Sequence, residues 1–199
     1  VVVDVNPLSP AVHVADRAYL VPMADDPRYL DSLIDVCRTE RITLLVPTID
    51  DGGQIIWESN SAVRYLAAKY AAGTLWPNDP GQRSEADRWM DWQLSTISEC
   101  MRVMFWGLIR TPADKRDMAA IKKAAAEGGK LWARLDQKLE GRKYVGGQHF
   151  TMGDIPVGCF VHRWFALDVE RPDLRNLKAW YERLKARPAY AKHIMIPLS

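Results

Sequence analysis

Hydrophobic residues in the first part of the chain come in short, β-rich runs: "VVVDV" from Val1, "AYLVP" from Ala18, "TLLVP" from Thr43 and "QIIWE" from Gln54. Between the second and third lies "DDPRYLDSLIDVC", where Tyr29, Leu30, Leu33, Ile34 and Cys37 recur at helical spacing. Asp25, Asp26 and Pro27 suit the entry to that helix, a cap followed by proline in the first turn. Strands alternating with a helix predict an α/β layer. "TLLVPTIDDGGQIIWE" fits two strands joined by a Gly-bearing turn, a hairpin. A helix from about Ser59 to Ala71 follows it, with Ala62, Val63, Leu66 and Tyr70 on one face.

Beyond residue 75 the pattern is helical to the end. "PGQRSEADRWMDWQLSTISECMRVMFWGLI" has no internal proline and reads as one long helix. "ADKRDMAAIKKAAAEGGKLWARLDQKLEG" reads as a second, weakened in its middle by Gly128 and Gly129. "TMGDIPVGCFVHRWFAL" and "LRNLKAWYERLKA" are a third and a fourth, after which Pro188 stops the regular pattern. Thr151 and Asp154 have capping-box spacing, with Asp in place of the usual Glu or Gln, and read as structural, with Phe150 and Ile155 as the accompanying apolar pair. The expected architecture is an α/β domain over residues 1–74 followed by an all-α helical bundle over residues 75–199.

With 199 residues, the chain can bury a substantial core as one domain or two small ones. The 27 basic and 25 acidic side chains leave an excess of two positive charges, too small to point to nucleic acid or a membrane surface. No apolar run approaches the roughly 18–20 residues of a membrane span, and no signal-peptide pattern opens the chain. Cys37, Cys100 and Cys159 are widely spaced, and the histidines form no paired motif. No disulfide framework and no metal site are expected, and a reducing, cytoplasmic setting is.

Chemistry concentrates at the joint before the Ser59 helix. The first backbone N–H groups of a helix lack intrahelical partners and lie at the positive end of its dipole. A carboxylate can bind there, with the Ser59 hydroxyl adding a donor, while Glu58 accepts from an ammonium group. The pair could hold both ends of an amino-acid zwitterion. The competing reading makes Ser59 an N-cap and Glu58 a favourable charge beside the dipole. Upstream, a cis Val46–Pro47 bond would turn the backbone of Val46 outward to pair with an extended peptide.

The stretch "VPTIDDGGQIIWESNSAVRYLAAKYAAGTLWP" resembles the second half of the thioredoxin-like domain of cytosolic glutathione transferases. The likeness continues through "ADRWMDWQ", "YVGGQHFTMGDIPV" and "RPAYAKHIMIPLS", so it spans about residues 45–199. The resemblance implies glutathione as co-substrate, no metal, and a small-molecule electrophile as second substrate. It also implies that Val46 pairs with the cysteinyl backbone of glutathione and that Pro47 shapes the loop. Glu58 would meet the γ-glutamyl amino group, and Ser59 its carboxylate. Met101, Met104, Phe105 and Trp106 could line a second-substrate cleft, although their spacing suits core packing equally. Trp89, Trp92, Trp132 and Trp164 read as bundle core or domain contact, and a homodimer is implied.

Residues 1–50 differ. "ADRAYLVPMADDPRYLDSLIDVCRTERITLLVPTID" is similar to the amino-terminal domain of ATP-grasp enzymes of the carbamoyl-phosphate-synthase type. The chain thus reads as a possible chimera, natural or engineered, whose small domain carries a thioredoxin-like or Rossmann-like hybrid sheet. Residues 1–44 are its atypical part and 45–74 its glutathione-binding half. No glycine-rich nucleotide loop is present in the sequence. The family needs a group near the first strand that favours the thiolate of glutathione. Ser9, in "NPLSPAV", is the candidate, with an ordinary turn as the alternative; Tyr19 and Cys37 are weaker ones. A glutathione transferase, a glutathione-binding module without turnover and a folded chimeric scaffold all remain open at this point.

Overall fold

A computed structural model of the chain describes residues 2–4, 7–8, 13, 17–23, 26–40 and 49–198. Ser9, Asp25, the expected strand "TLLVP", Val46 and Pro47 lie outside the described residues. The chain forms two compact units, residues 1–62 and 63–199.

In the first unit, β1 (Val2–Asp4) and β2 (Ala18–Leu20) pair in parallel, Val3 opposite Tyr19. Helix α1 (Tyr29–Thr39) buries Leu33 and Val36. Leu30, expected on the apolar face, is 63% exposed, because the buried stripe runs through Val36 instead. The Asp26 carboxylate accepts from the Arg28 backbone N–H at 2.8 Å and from its guanidinium, and Arg28 holds it at a pKa of about 2. That turn precedes the helix, with Arg28 in the cap position. Strands β3 (Ile49–Asp51) and β4 (Gln54–Ile56) form the expected hairpin, closed by the pair Asp51–Gln54. Gly52 and Gly53 have φ of 64° and 91°, as a two-residue turn matched to strand twist requires. The described strands form two separate pairs rather than one continuous sheet.

Helix α2 (Ser59–Tyr70) starts at the expected position, and of its expected face Val63 packs against the core while the buried stripe continues through Ala67. Leu66 and Tyr70 are 40% and 67% exposed, while Ala67 is buried beside Ala86, Met90 and Met152. A small side chain permits that close approach, whereas Leu66 and Tyr70 on the neighbouring stripe are turned to solvent. On the same helix Arg64 bridges Asp87 at 2.6 Å and Asp91 at 2.5 Å.

The expected long helix is helical throughout but not uniformly α. It consists of α3 (Pro80–Trp92), a π-helical turn over Gln93–Ile97, α4 (Ser98–Phe105) and a second π turn over Trp106–Arg110. Asp79 caps α3 by accepting from Gln82 N–H at 2.8 Å, with Pro80 in the first turn. Helix α5 (Met118–Lys138) runs unbroken through its glycines. A Cβ on Gly128 would lie 3.2 Å from Trp164 and 3.4 Å from Met104, and one on Gly129 would lie 3.1 Å from Pro172. The two glycines cost helix propensity and in return admit neighbouring side chains against the helix. Trp89, Trp92, Trp132 and Trp164 follow one another at ring separations of 5.4, 5.7 and 6.2 Å, and all but the partly buried Trp92 lie in the core, as one of the two sequence readings has it.

Helix α6 (Asp154–Ala166) enters the core amino end first. The fully buried Asp154 carboxylate accepts from Thr151 N–H at 2.9 Å, the Thr151 hydroxyl at 3.3 Å, Val145 N–H at 3.0 Å and Trp180 Nε1–H at 2.9 Å. The carboxylate thus supplies the reach-back half of the expected capping box, while the Thr151 hydroxyl turns to the carboxylate itself. Trp180 belongs to α7 (Arg175–Lys185). Pro188 does not end the helical pattern but opens α8 (Pro188–His193): in the first turn it has no intrahelical N–H to lose.

Two stability measurements check this packing. A Cβ on Gly153 would stand 2.5 Å from the Ala86 carbonyl oxygen, and backbone cannot move aside as a side chain tip can. Gly153→Ala is expected to lower the unfolding free energy by roughly 2 kcal/mol or more in urea titration. Burial pushes Asp154 up to about 6 against the pull of its four donors. A carboxyl raised in the folded state stabilises fully below its unfolded pKa of about 4, and that contribution is lost as pH rises through about 6. The stability lead of the natural protein over Asp154→Asn is therefore expected to narrow between pH 4 and pH 7.

Candidate active site

The joint between β4 and α2 is built by backbone geometry. Glu58 has φ of 68°, the only positive value among the described non-glycine residues. Its carbonyl accepts the Ala62 N–H at 2.9 Å, so Glu58 takes the cap position and Ser59 becomes the first helical residue. Ser59 is therefore not the N-cap that the competing sequence reading made it. The Glu58 and Ser59 side chains are both exposed, and among the described residues no hydrogen bond engages either. A left-handed conformation at a residue with a Cβ costs about 1 kcal/mol or more. Here it stands directly before α2, so that an exposed carboxylate residue and an exposed hydroxyl residue adjoin the positive end of a helix.

Of the alternatives near the first strand, Tyr19 donates its hydroxyl to Glu40, which also accepts two bonds from Arg17 at 3.0 and 2.9 Å. The hydrogen bond to Glu40 holds the Tyr19 phenol above its usual range, opposite to what a tyrosinate base requires. Cys37 is half-buried on α1.

In the helical unit, Met101, Phe105 and Trp106 line one pocket of about 240 Å³, with Glu99, Arg102 and Arg163 among its other walls. Met104 does not reach it and is fully buried in the core. Met101 forms the floor at 1% exposure, and Trp106 stands at the mouth at 59%. Phe160 and Arg163 come from α6 and were not anticipated; the only trace in the sequence is an arginine inside the apolar run "CFVHRWFAL". Two wider cavities, of about 750 and 780 Å³, open elsewhere on this unit and contain none of the expected residues. Burial pushes the Cys100 and Cys159 thiols up, away from thiolate chemistry. Among the described residues no cluster of His, Cys, Asp or Glu could hold a metal, and no helix is long and apolar enough to cross a membrane.

The glutathione S-transferase C-terminal domain family matches residues 97–188, and the PylC-like N-terminal domain family matches residues 1–65. The glutathione S-transferase GstB of Escherichia coli K12 is 42% identical over 157 residues, 78% of this chain and 76% of its own length. The theta class glutathione S-transferase of Xanthomonas axonopodis pv. citri, solved with glutathione bound, is 47% identical with a TM-score of 0.74, over 79% of this chain and 83% of that one. The chain belongs to the glutathione transferase family, with an amino-terminal segment similar to a different family. A delta-class transferase of Nilaparvata lugens, 22% identical with a TM-score of 0.63, matches in fold over 92% of this chain and 82% of its own. The transferase fold therefore extends well into the first unit.

The strained cap gives a direct test. Glycine adopts positive φ without steric cost, so Glu58→Gly is expected to be about 1 kcal/mol more stable than Glu58→Ala by denaturant unfolding. Equal stabilities would remove the argument for strain at this position.

Proposed function

We propose that the protein is an active glutathione transferase, joining the glutathione thiolate to a small electrophile. The observation that carries the reading is the turn at Glu58, held at positive φ with the adjacent Ser59 exposed at the start of α2. Family membership supports it, as does the glutathione bound to the Xanthomonas relative. In this reading Glu58 accepts from the γ-glutamyl ammonium group, while Ser59 and the helix amino end hold the α-carboxylate. Val46 and Pro47 present backbone to the cysteinyl residue, and Ser9 donates a hydrogen bond that favours the thiolate. The electrophile sits against Met101, Phe105 and Trp106. The protein works as a cytoplasmic homodimer, with a folding boundary near residues 74–75.

The PylC-like match at residues 1–65 favours a second reading, in which the amino-terminal segment leaves glutathione binding without turnover. The two separate in one series. Calorimetric titration with glutathione is expected to show binding that weakens by roughly 1–3 kcal/mol in Ser59→Ala, the usual effect of stranding a polar partner. Turnover with 1-chloro-2,4-dinitrobenzene is expected to fall in Ser9→Ala while glutathione affinity changes little. Binding with no turnover in the natural protein would select the second reading, and no binding by folded protein would end both.

A further inference from the structure

The pocket lined by Met101, Phe105 and Trp106 carries a charge that no carboxylate among the described residues pairs with. Of its two arginines, Arg102 is spent on Glu99, with bonds of 2.7 and 3.2 Å to the two carboxylate oxygens. Arg163 has no carboxylate partner among the described residues. Its guanidinium instead lies over the rings of Phe105 at 4.8 Å and Phe160 at 5.6 Å, both of which line the same pocket. A guanidinium stacked on ring faces leaves its N–H edge for a planar acceptor, and a carboxylate is the group that matches that fork. A third cation, Arg110, lies over Phe105 at 5.8 Å without lining the pocket. Among the described residues Glu99 is the one acidic side chain in the lining, against two arginines, so that lining carries a net positive charge.

The backbone around the pocket is also unusual. Its residues Ser98, Glu99, Met101, Arg102 and Phe105 all lie on α4, which has a π turn at each end. Such turns shift the register of a helix face and occur disproportionately at functional sites. The second is held in place by Thr111, whose hydroxyl donates to Trp106 O at 2.9 Å, and by Arg116, which donates to Leu108 O at 2.7 Å. Trp106, the first residue of the second π turn, lines the pocket and is 59% exposed.

We infer that this pocket selects aromatic electrophiles bearing a carboxylate, with Arg163 as the specificity-determining residue. The inference rests on the electrophile site being the one assigned above. For an aryl chloride, the glutathione sulfur forms the new bond to the ring carbon. The carbon–chlorine bond breaks with its electron pair leaving as chloride, and the thiol proton passes to solvent. Met101 and the two phenylalanines contact the ring, while Arg163 pairs with the carboxylate. A pocket of about 240 Å³ can accept a single substituted ring.

The test compares 4-chloro-3,5-dinitrobenzoate with its neutral isostere, 4-chloro-3,5-dinitrobenzamide, each corrected for its uncatalysed rate with glutathione. The natural protein is expected to favour the benzoate in kcat/KM. In Arg163→Gln the benzoate-to-benzamide ratio should fall by about tenfold or more, the scale of a charge-assisted bidentate contact, with Arg163→Lys in between. An unchanged ratio in Arg163→Gln overturns the inference. Calorimetry with the unreactive 3,5-dinitrobenzoate, without glutathione, tests the pocket independently of turnover. Binding lost in Arg163→Gln supports the inference even if the natural protein proves inactive, in which case only the proposed activity fails. Equal binding of 3,5-dinitrobenzoate by natural protein and variant, or none by folded natural protein, overturns it.

Discussion

The helical unit is organised around one buried carboxylate. Asp154 gathers two backbone N–H groups, a hydroxyl and an indole N–H, and these come from the Val145 turn, the Thr151 cap and Trp180 of α7. A charge at full burial is tolerable only where its acceptor positions are filled. Here the filling fixes three segments to one atom group. The polar knot thereby sets where α6 enters the core and which face of α7 meets it. Losing any one donor would strand part of a buried carboxylate, so the segments hold their places together.

Around that knot, small residues decide how close the helices come. Gly153 meets the backbone at Ala86, and Gly128 admits Trp164 to the face of α5. The tryptophans then pack in succession from α3 through α5 to α6. This frame holds α4 and α6 side by side, and the pocket of Met101, Phe105, Phe160 and Arg163 is formed between them. The rigidity of the core and the shape of the pocket have the same source, because a pocket made by two packed helices keeps its shape only while the packing is complete.

The amino-terminal unit shows how a fold can outlast sequence likeness. Residues 1–65 match a family other than the transferases, yet the fold likeness to transferases covers 92% of the chain. A parallel strand pair, a helix and a hairpin satisfy the general rules of an α/β layer, and many sequences can do so. Chemistry is less permissive than architecture. In the proposed reading Ser9, Val46 and Pro47 supply particular atoms to glutathione, and these residues lie outside the described part of the chain.

Much of the fold was legible because it depends on local rules. Gly52-Gly53 between alternating residues means a hairpin turn, and Asp79-Pro80 means a helix start. Glu58-Ser59 before an apolar-periodic run marks a helix amino end, and each of these stands where the pattern put it. The sequence by itself determined the hairpin, the starts of α2 and α3, and the succession of an α/β part by a helical one. Only the tertiary structure decided the rest. Ala67 rather than Leu66 faces the bundle, Pro188 opens a helix rather than ending one, and Glu58 carries the positive φ. Arg163 meets Phe105 across 58 residues of chain. Periodicity reports which faces of an element are apolar, whereas the partner each face meets is set by close packing between elements distant in sequence, and no local pattern encodes it.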